Sequence, residues 1–375
     1  MGCAVVMGAV SYSANAQQSV TLYGLIENGI DYVNNSSGDS LVAMRDGAYT
    51  GLFGSRWGLL ISEDLGGGLK AIARLENGFN ATNGKLGQGG LEFGRQAYVG
   101  LDYGKAGTVT FGRQYDSVID YLQFASTNAQ WGGIATHASD IDNLGNSFRV
   151  NNAVKYTSYD FGLFKFGGLY AFSNEVGSVG TTAVLSAGAN FSYRNLKLGV
   201  AYFFAKKPAE QFVDGHYMAN TTGDAIGAAG PWSYVGNPAN VETFGAGGTY
   251  LIGKLTIGAL FTRVTFQNAN GTSGSVRFDD YDTSLNYALT PEFHIGVAYL
   301  YTSADIGYSG EHLKYHRVAL GTSYSLSKRT SVYGVIVAQQ ASGDAKGADL
   351  YQGVAGSMST TDRQLGARVA IIHRF

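Results

Sequence analysis

The last eleven residues alternate with a period of two. Odd positions from Leu365 carry Leu365, Ala367, Val369, Ile371, His373 and Phe375, and even positions carry Gly366, Arg368, Ala370, Ile372 and Arg374. That spacing describes a strand with one apolar and one polar face. Chain ends fray unless something ties them down. A final strand that stops on an aromatic residue therefore suits a ring of strands that it closes, and the rest of the chain must then supply the partners.

The same unit recurs after residue 18: about a dozen alternating residues, a tight turn, another dozen, then a longer polar connection. Gly66-Gly67-Gly68, Gly104 to Gly107, Phe161-Gly162, Asn195, Gly253, Thr290-Pro291 and Ser327-Lys328-Arg329 mark the tight turns, built from residues that hairpins favour. Longer stretches rich in Gly, Ser, Asn, Asp and Thr separate the hairpins, near 35–52, 81–90, 115–148, 176–182, 207–240, 267–274, 305–311 and 343–360. The count is sixteen strands, with short connections at one end and long ones at the other. Each strand with its connection then has about 22 residues, which suits tilted membrane-spanning strands of about ten.

Composition agrees with lipid as the solvent. Only 14% of residues are charged, mean hydropathy is −0.03, and no 18-residue apolar run is present. A barrel that spans a membrane buries every second residue in lipid, so its average stays near zero. Tyr23, Trp57, Phe79, Tyr103, Phe111, Tyr170, Tyr287, Tyr333 and Phe375 lie near segment ends, as interfacial girdles require. A net charge of −2 gives no basis for a nucleic-acid partner. The start, apolar to Val10 and then Ala14-Asn15-Ala16, reads as a secretory signal over 1–16 that lacks its basic region. Cleavage after Ala16 would remove the single cysteine, Cys3, and with it any disulfide or thiolate chemistry.

Several segments carry a family likeness. Val20-Thr21-Leu22-Tyr23-Gly24, Gly54-Ser55-Arg56-Trp57-Gly58 and Ser62 to Ala71 are three of them. Phe93-Gly94-Arg95-Gln96-Ala97-Tyr98-Val99-Gly100-Leu101, Thr108 to Tyr115, Asn151 to Tyr156 and the terminal Phe375 complete the set. Together they resemble Gram-negative general porins of the beta-proteobacterial type, over the whole of 17–375. The resemblance implies an all-β fold: a 16-stranded antiparallel transmembrane β-barrel with short periplasmic turns, long extracellular loops and loop three folded into the pore. It also implies the outer membrane as location, a homotrimer, and recognition of Phe375 by the outer-membrane assembly machinery. The acidic Pro-Glu-Phe-Gly type segment of many porins is not evident between Tyr115 and Phe148.

In a channel of this kind the chemistry is electrostatic filtering by inward charges. Strand parity assigns them. Trp57, Leu59 and Ile61 share one face, so Arg56 takes the other. Ala71, Ala73, Leu75 and Phe79 point out, so Arg74 and Glu76 point in. Val154 and Tyr156 point out, so Arg149 and Lys155 point in. Arg317 opposes Val318 and Leu320, and Arg368 opposes Val369. Loop three supplies Asp116, Asp120, Asp140 and Asp142, which would make an acidic side opposite a basic wall. Arg95 and Arg113 share the phase of Ala97 and Phe111. A bulge, a strand end or a subunit contact would account for their charge there, and they stay outside the pore set. A wet lumen also admits charge on solvation grounds alone.

Enzymatic and metal readings find little support. Gly321-Thr322-Ser323-Tyr324-Ser325 lacks the second glycine of a nucleophile elbow. Gly100 to Lys105 has phosphate-loop residues at the wrong spacing. His312 and His316 suit a helix face but lie on a strand, so no metal is expected there. No cofactor is expected either. The function read from the sequence is passive diffusion of small hydrophilic solutes and ions with mild anion preference. Two alternatives remain. One is a substrate-specific channel in which Tyr121, Phe124 and Trp131 stack on a solute. The other is an adhesin or receptor that uses loop 207–240.

Overall fold

The structure is a computed structural model that describes residues 18–375 apart from 49, 175, 178–179, 213, 215–229 and 352–356. The expected leader 1–16, with Cys3, lies outside these residues. The first strands are β1 (Gln18–Ser36), β2 (Asp39–Asp46), β3 (Arg56–Gly66), β4 (Leu69–Gly78), β5 (Gln96–Asp102), β6 (Thr108–Gln114), β7 (Val150–Thr157), β8 (Phe164–Ala171) and β9 (Val184–Tyr193). The rest are β10 (Leu196–Lys206), β11 (Asn240–Ile252), β12 (Leu255–Gln267), β13 (Val276–Ala288), β14 (Phe293–Ile306), β15 (Glu311–Ser325), β16 (Thr330–Gly343) and β17 (Arg363–Arg374). Among the described residues, three short α-helices lie between them: α1 (Ser117–Leu122), α2 (Asn128–Trp131) and α3 (Pro208–Gln211).

Each strand pairs antiparallel with its neighbour in one sheet, and the sheet closes where Leu25 to Val33 of β1 meet Arg374 to Gly366 of β17. Gly24 and Phe375 exchange backbone hydrogen bonds of 3.1 and 3.0 Å, so the last residue is locked into the seam. Closure leaves the sheet no long free edge.

Seventeen strands fill sixteen positions. The opposite edge of β1 pairs with β3 along Gln18–Leu25 and with β2 along Asn28–Ser36. β2 and β3 are therefore the two halves of one stave, and residues 47–55 leave the wall between them. The sequence read 35–52 as one loop. Instead Ser37 and Gly38 turn the chain with positive φ, and β2 follows. Its alternation is legible afterwards: Val42 and Met44 are 69% and 64% exposed on the outer face, with Leu41, Ala43 and Arg45 opposite.

Exposure identifies the two faces. Along β1, Val20, Leu22, Ile26, Ile30 and Tyr32 are exposed, while Glu27, Asp31 and Val33 are buried. Along β17, Leu365, Val369 and Ile371 are exposed, while Gln364 and Arg368 are buried. In a soluble protein that pattern would be inverted; here apolar side chains face lipid and polar ones face inward. Among the described residues no helix is long and apolar enough to cross a membrane.

Inside the ring, residues 115–149 pack on the inward positions of the wall. Tyr121 lies so close to Gly199 that a Cβ there would sit 2.1 Å from the Tyr121 carbonyl oxygen. A Cβ on Gly321 would sit 2.1 Å from Trp131 Cε3. Glycine at these wall positions is required by close approach rather than by a turn. Val118, Tyr121, Leu122 and Phe148 join Phe203, Phe212, Trp232 and Phe266 in one apolar cluster. Trp131, Ile134 and Ala135 join Leu300, Tyr333 and Val337 in another.

Candidate pore constriction

Loop three holds its shape through its own side chains. Asp116 caps α1, accepting from Val118 N at 2.7 Å and Ile119 N at 3.3 Å, as short polar residues do at helix starts. Asn143 donates to the other Asp116 oxygen at 2.8 Å. Burial, reinforced by nearby Asp120, pushes the Asp116 carboxyl up to about 6. Asp140 accepts from Gly145 N at 2.6 Å and from Ser147. Asp142 pairs with His137 at 2.7 Å and accepts from Thr262 of β12 at 2.6 Å. Asp116, Asp140 and Asp142 are thus buried in the loop and its footing. Asp120 is the partly exposed acid of the four, and it pairs with Lys155.

The tip of the loop is fastened from two sides. Gly133 N donates to Gly51 O at 2.8 Å and Ile134 N to Thr50 O at 3.1 Å, both in the inward segment 47–55. Across the loop, Arg317 donates to Ile134 O at 3.3 Å, to Thr136 O, and to Asp349 O at 3.1 Å. Segment 47–55 has its own footing: Leu52 N and Phe53 N donate to Glu27 at 3.1 and 2.6 Å. Arg368 binds Glu27 at 3.2 Å, Asp31 at 2.7 Å and Thr50 Oγ1 at 3.1 Å. Arg317 and Arg368 therefore face inward, as parity requires, but they are buried against backbone and carboxylates.

Between segment 47–55, loop three and the wall lies a cavity of about 740 Å³. Among the described residues its lining carries four cations, Arg56, Lys85, Arg95 and Arg149, against one carboxylate, Asp214. Arg56 donates to Gly54 O at 3.0 Å and lies near the Phe53 ring. It has no carboxylate partner among the described residues. Arg149 shares Asp214 with Arg113. Burial, with Arg95 beside it, lowers Arg149 to about 10, which leaves it cationic at neutral pH.

Glu76 organises one side of this wall. It accepts from Tyr23 OH at 2.7 Å, Arg74 Nη2 at 2.7 Å, Arg95 Nε at 2.9 Å and Tyr115 OH at 3.0 Å. Burial would raise the Tyr115 phenol, but Arg95 reverses that and the net shift is downward. Arg74 also donates to Tyr23 OH at 2.7 Å. Lys155 donates to Tyr115 O at 2.9 Å.

Of the residues parity selected, Arg56 and Arg149 line the cavity. Arg74 and Glu76 stand behind it, while Lys155 and Asp120 pair at α1. Arg95 is a cavity residue that parity set aside. It precedes β5, so strand phase does not govern it, and Gly94 marks that boundary in the sequence. Arg113 turns inward where the β6–β7 ladder slips between Gly112 and Gln114, with Gly112 at φ 134°. There it reaches Gly94 O at 2.8 Å and Asn151 at 2.7 Å. Lys85 and Asp214 come from loops and had no phase to read. Tyr121 and Trp131, offered for solute stacking, are buried against wall glycines. Phe124 carries Lys197 Nζ over its ring at 3.9 Å. Residues 213 and 215–229 of loop 207–240, the proposed adhesin or receptor surface, lie outside the described residues.

Comparison with known proteins gives a consistent result. The family model described as Gram-negative porin matches residues 2–344. An outer membrane porin protein of Bordetella pertussis is 28% identical over 362 residues, which span 88% of this chain and 91% of that protein. Outer membrane porin protein 32 of Delftia acidovorans is 29% identical over 379 residues, with 98% and 97% covered. Among solved structures, an anion-selective porin from Comamonas acidovorans superposes with a TM-score of 0.74 at 24% identity, covering 96% of this chain and 100% of that one. OmpT of Vibrio cholerae gives 0.67 at 12% identity, covering 96% and 100%.

Proposed function

The chain belongs to the Gram-negative porin family, and from that premise we propose that it passes small hydrophilic anions in preference to cations. It is an outer-membrane β-barrel and a passive channel rather than an enzyme. The observation that carries the anion reading is the cavity lining, in which Arg56, Lys85, Arg95 and Arg149 face one carboxylate. In a narrow, partly desolvated space, fixed charges of one sign raise the local concentration of the opposite ion. Loop three narrows the path, and segment 47–55 forms the other lip.

Other parity residues support this reading indirectly. Glu76 holds Arg74 and Arg95 in place, and Lys155 is largely neutralised by Asp120. Arg317 and Arg368 act through the backbone they hold. Asp116, Asp140 and Asp142 keep loop three folded. The mature chain begins after a leader 1–16, works as a homotrimer, and presents Phe375 to the assembly machinery. The relative named as anion-selective lends weight to the sign of the preference.

Reversal potentials across planar bilayers in a salt gradient test the proposal. Wild type should prefer chloride over potassium, and Arg56→Ala and Arg149→Ala should each reduce that preference. A cation preference unchanged in both variants would overturn it.

A further inference from the structure

The footing of loop three on β13 contains an excess of buried acid. His137 and Asp142 come from the loop and Asp280 from β13, and they offer one imidazole nitrogen and two carboxylate oxygens within 4.8 Å of one another. All three are buried. Asp282, also buried, holds Thr127 N and Oγ1 at 2.6 Å each, and its charge bears on His137. Asp140, within the loop, feels both Asp142 and His137, and Arg317 is the guanidinium that feels Asp280. One imidazole thus meets four carboxylates.

Two polar atoms in this group lack a hydrogen-bond partner. His137 Nδ1 is bonded to Asp142 at 2.7 Å, and Nε2 on the far side of the ring is unpartnered. Asp280 Oδ1 accepts from Thr302, and Oδ2 is unpartnered. Buried polar atoms are expensive to leave unmet. His137 Nδ1 and the Asp142 carboxylate stand 2.7 Å apart on one side of the ring, so a cation held by both takes the place of the hydrogen bond between them, and Asp280 supplies the third donor.

We propose that His137, Asp142 and Asp280 form a binding site for a divalent transition-metal ion that staples loop three to β13. Imidazole with carboxylate oxygens suits zinc, at bond lengths of about 2.0–2.2 Å. Donors on a tetrahedral edge then stand about 3.3 Å apart, so small side-chain rotations close the site. A dication also offsets the carboxylate excess. Because the donors come from two elements that meet only in the folded barrel, binding favours the folded state.

The test uses full-length protein refolded with zinc chloride and freed of unbound metal by gel filtration. About one zinc per chain by mass spectrometry is expected, with an unfolding temperature that rises with zinc concentration. Asp280→Asn, which preserves shape, and His137→Gln should lose both. The pair His312 and His316 on β15 is the alternative zinc site, and H312N/H316N should keep both. Zinc retained equally by Asp280→Asn, zinc lost only in H312N/H316N, or no zinc retained by wild type would each overturn the assignment.

Discussion

Arg368 and Asp31 are direct partners across the seam between the last strand and the first, and their side chains bond at 2.7 Å with both fully buried. Glu27 accepts from the same guanidinium and from the backbone of segment 47–55. The pair therefore joins barrel closure to the position of one lip of the pore. Removing one member of a buried ion pair leaves the other uncompensated, at about 3–5 kcal/mol. Arg368→Met should lower the unfolding midpoint in urea accordingly, while reversal potential stays near wild type. A selectivity change as large as that of Arg56→Ala would show that Arg368 is reached by permeant ions.

Glu76 holds two guanidiniums and two phenols. Glu76→Gln keeps the shape and removes the charge. The wall becomes more positive, and the anion-to-cation permeability ratio should rise roughly twofold. The expected readout is a larger zero-current potential in a potassium chloride gradient. A fall in the ratio would mean that Arg74 or Arg95 had swung out of place.

The barrel was legible because lipid enforces a period of two on every strand, and Arg56, Arg74 and Glu76 took their orientation from it. Parity reports direction, however, and not whether a charge is free. Arg368 and Arg56 are both inward, yet one is buried between two carboxylates and the other borders the cavity. Arg95 lies one residue before its strand and Arg113 at a ladder slip, where period-two reasoning has no purchase. The loop acids were readable as acids, but their burial depends on contacts with Thr262 and Asn143 that lie far off in sequence or across the loop. Strand β2 was hidden by the turn-forming residues around it.

Gly321 and Gly199 admit Trp131 and Tyr121 against the wall. Gly321→Ala places a methyl 2.1 Å from the Trp131 ring, an overlap that must displace loop three. Overpacking of this kind costs about 1–3 kcal/mol. Single-channel records should show altered conductance with added noise, whereas alanine at Gly180, where nothing lies within 4 Å and the backbone is not left-handed, should leave conductance unchanged.

The Asp116 carboxyl is pushed up to about 6, by burial first and Asp120 second. The folded protein then holds this proton more tightly than the unfolded chain. Its stabilising contribution is complete below about pH 4 and declines as pH rises to about 6, by at most about 3 kcal/mol. Asp116→Asn should flatten the dependence of the unfolding midpoint over that window. An unchanged slope would place the titration elsewhere.

Loop three is tied to the far lip where Gly133 and Ile134 donate to Gly51 and Thr50, as well as to its own roots. In mechanical terms it is an arch sprung from two abutments and not a cantilever. A cantilever opens by bending at one hinge. An arch widens only if a footing gives way, so aperture and stability draw on the same bonds, and a variant that enlarges the passage without loosening the barrel must shorten side chains on the inner curve and leave the span intact.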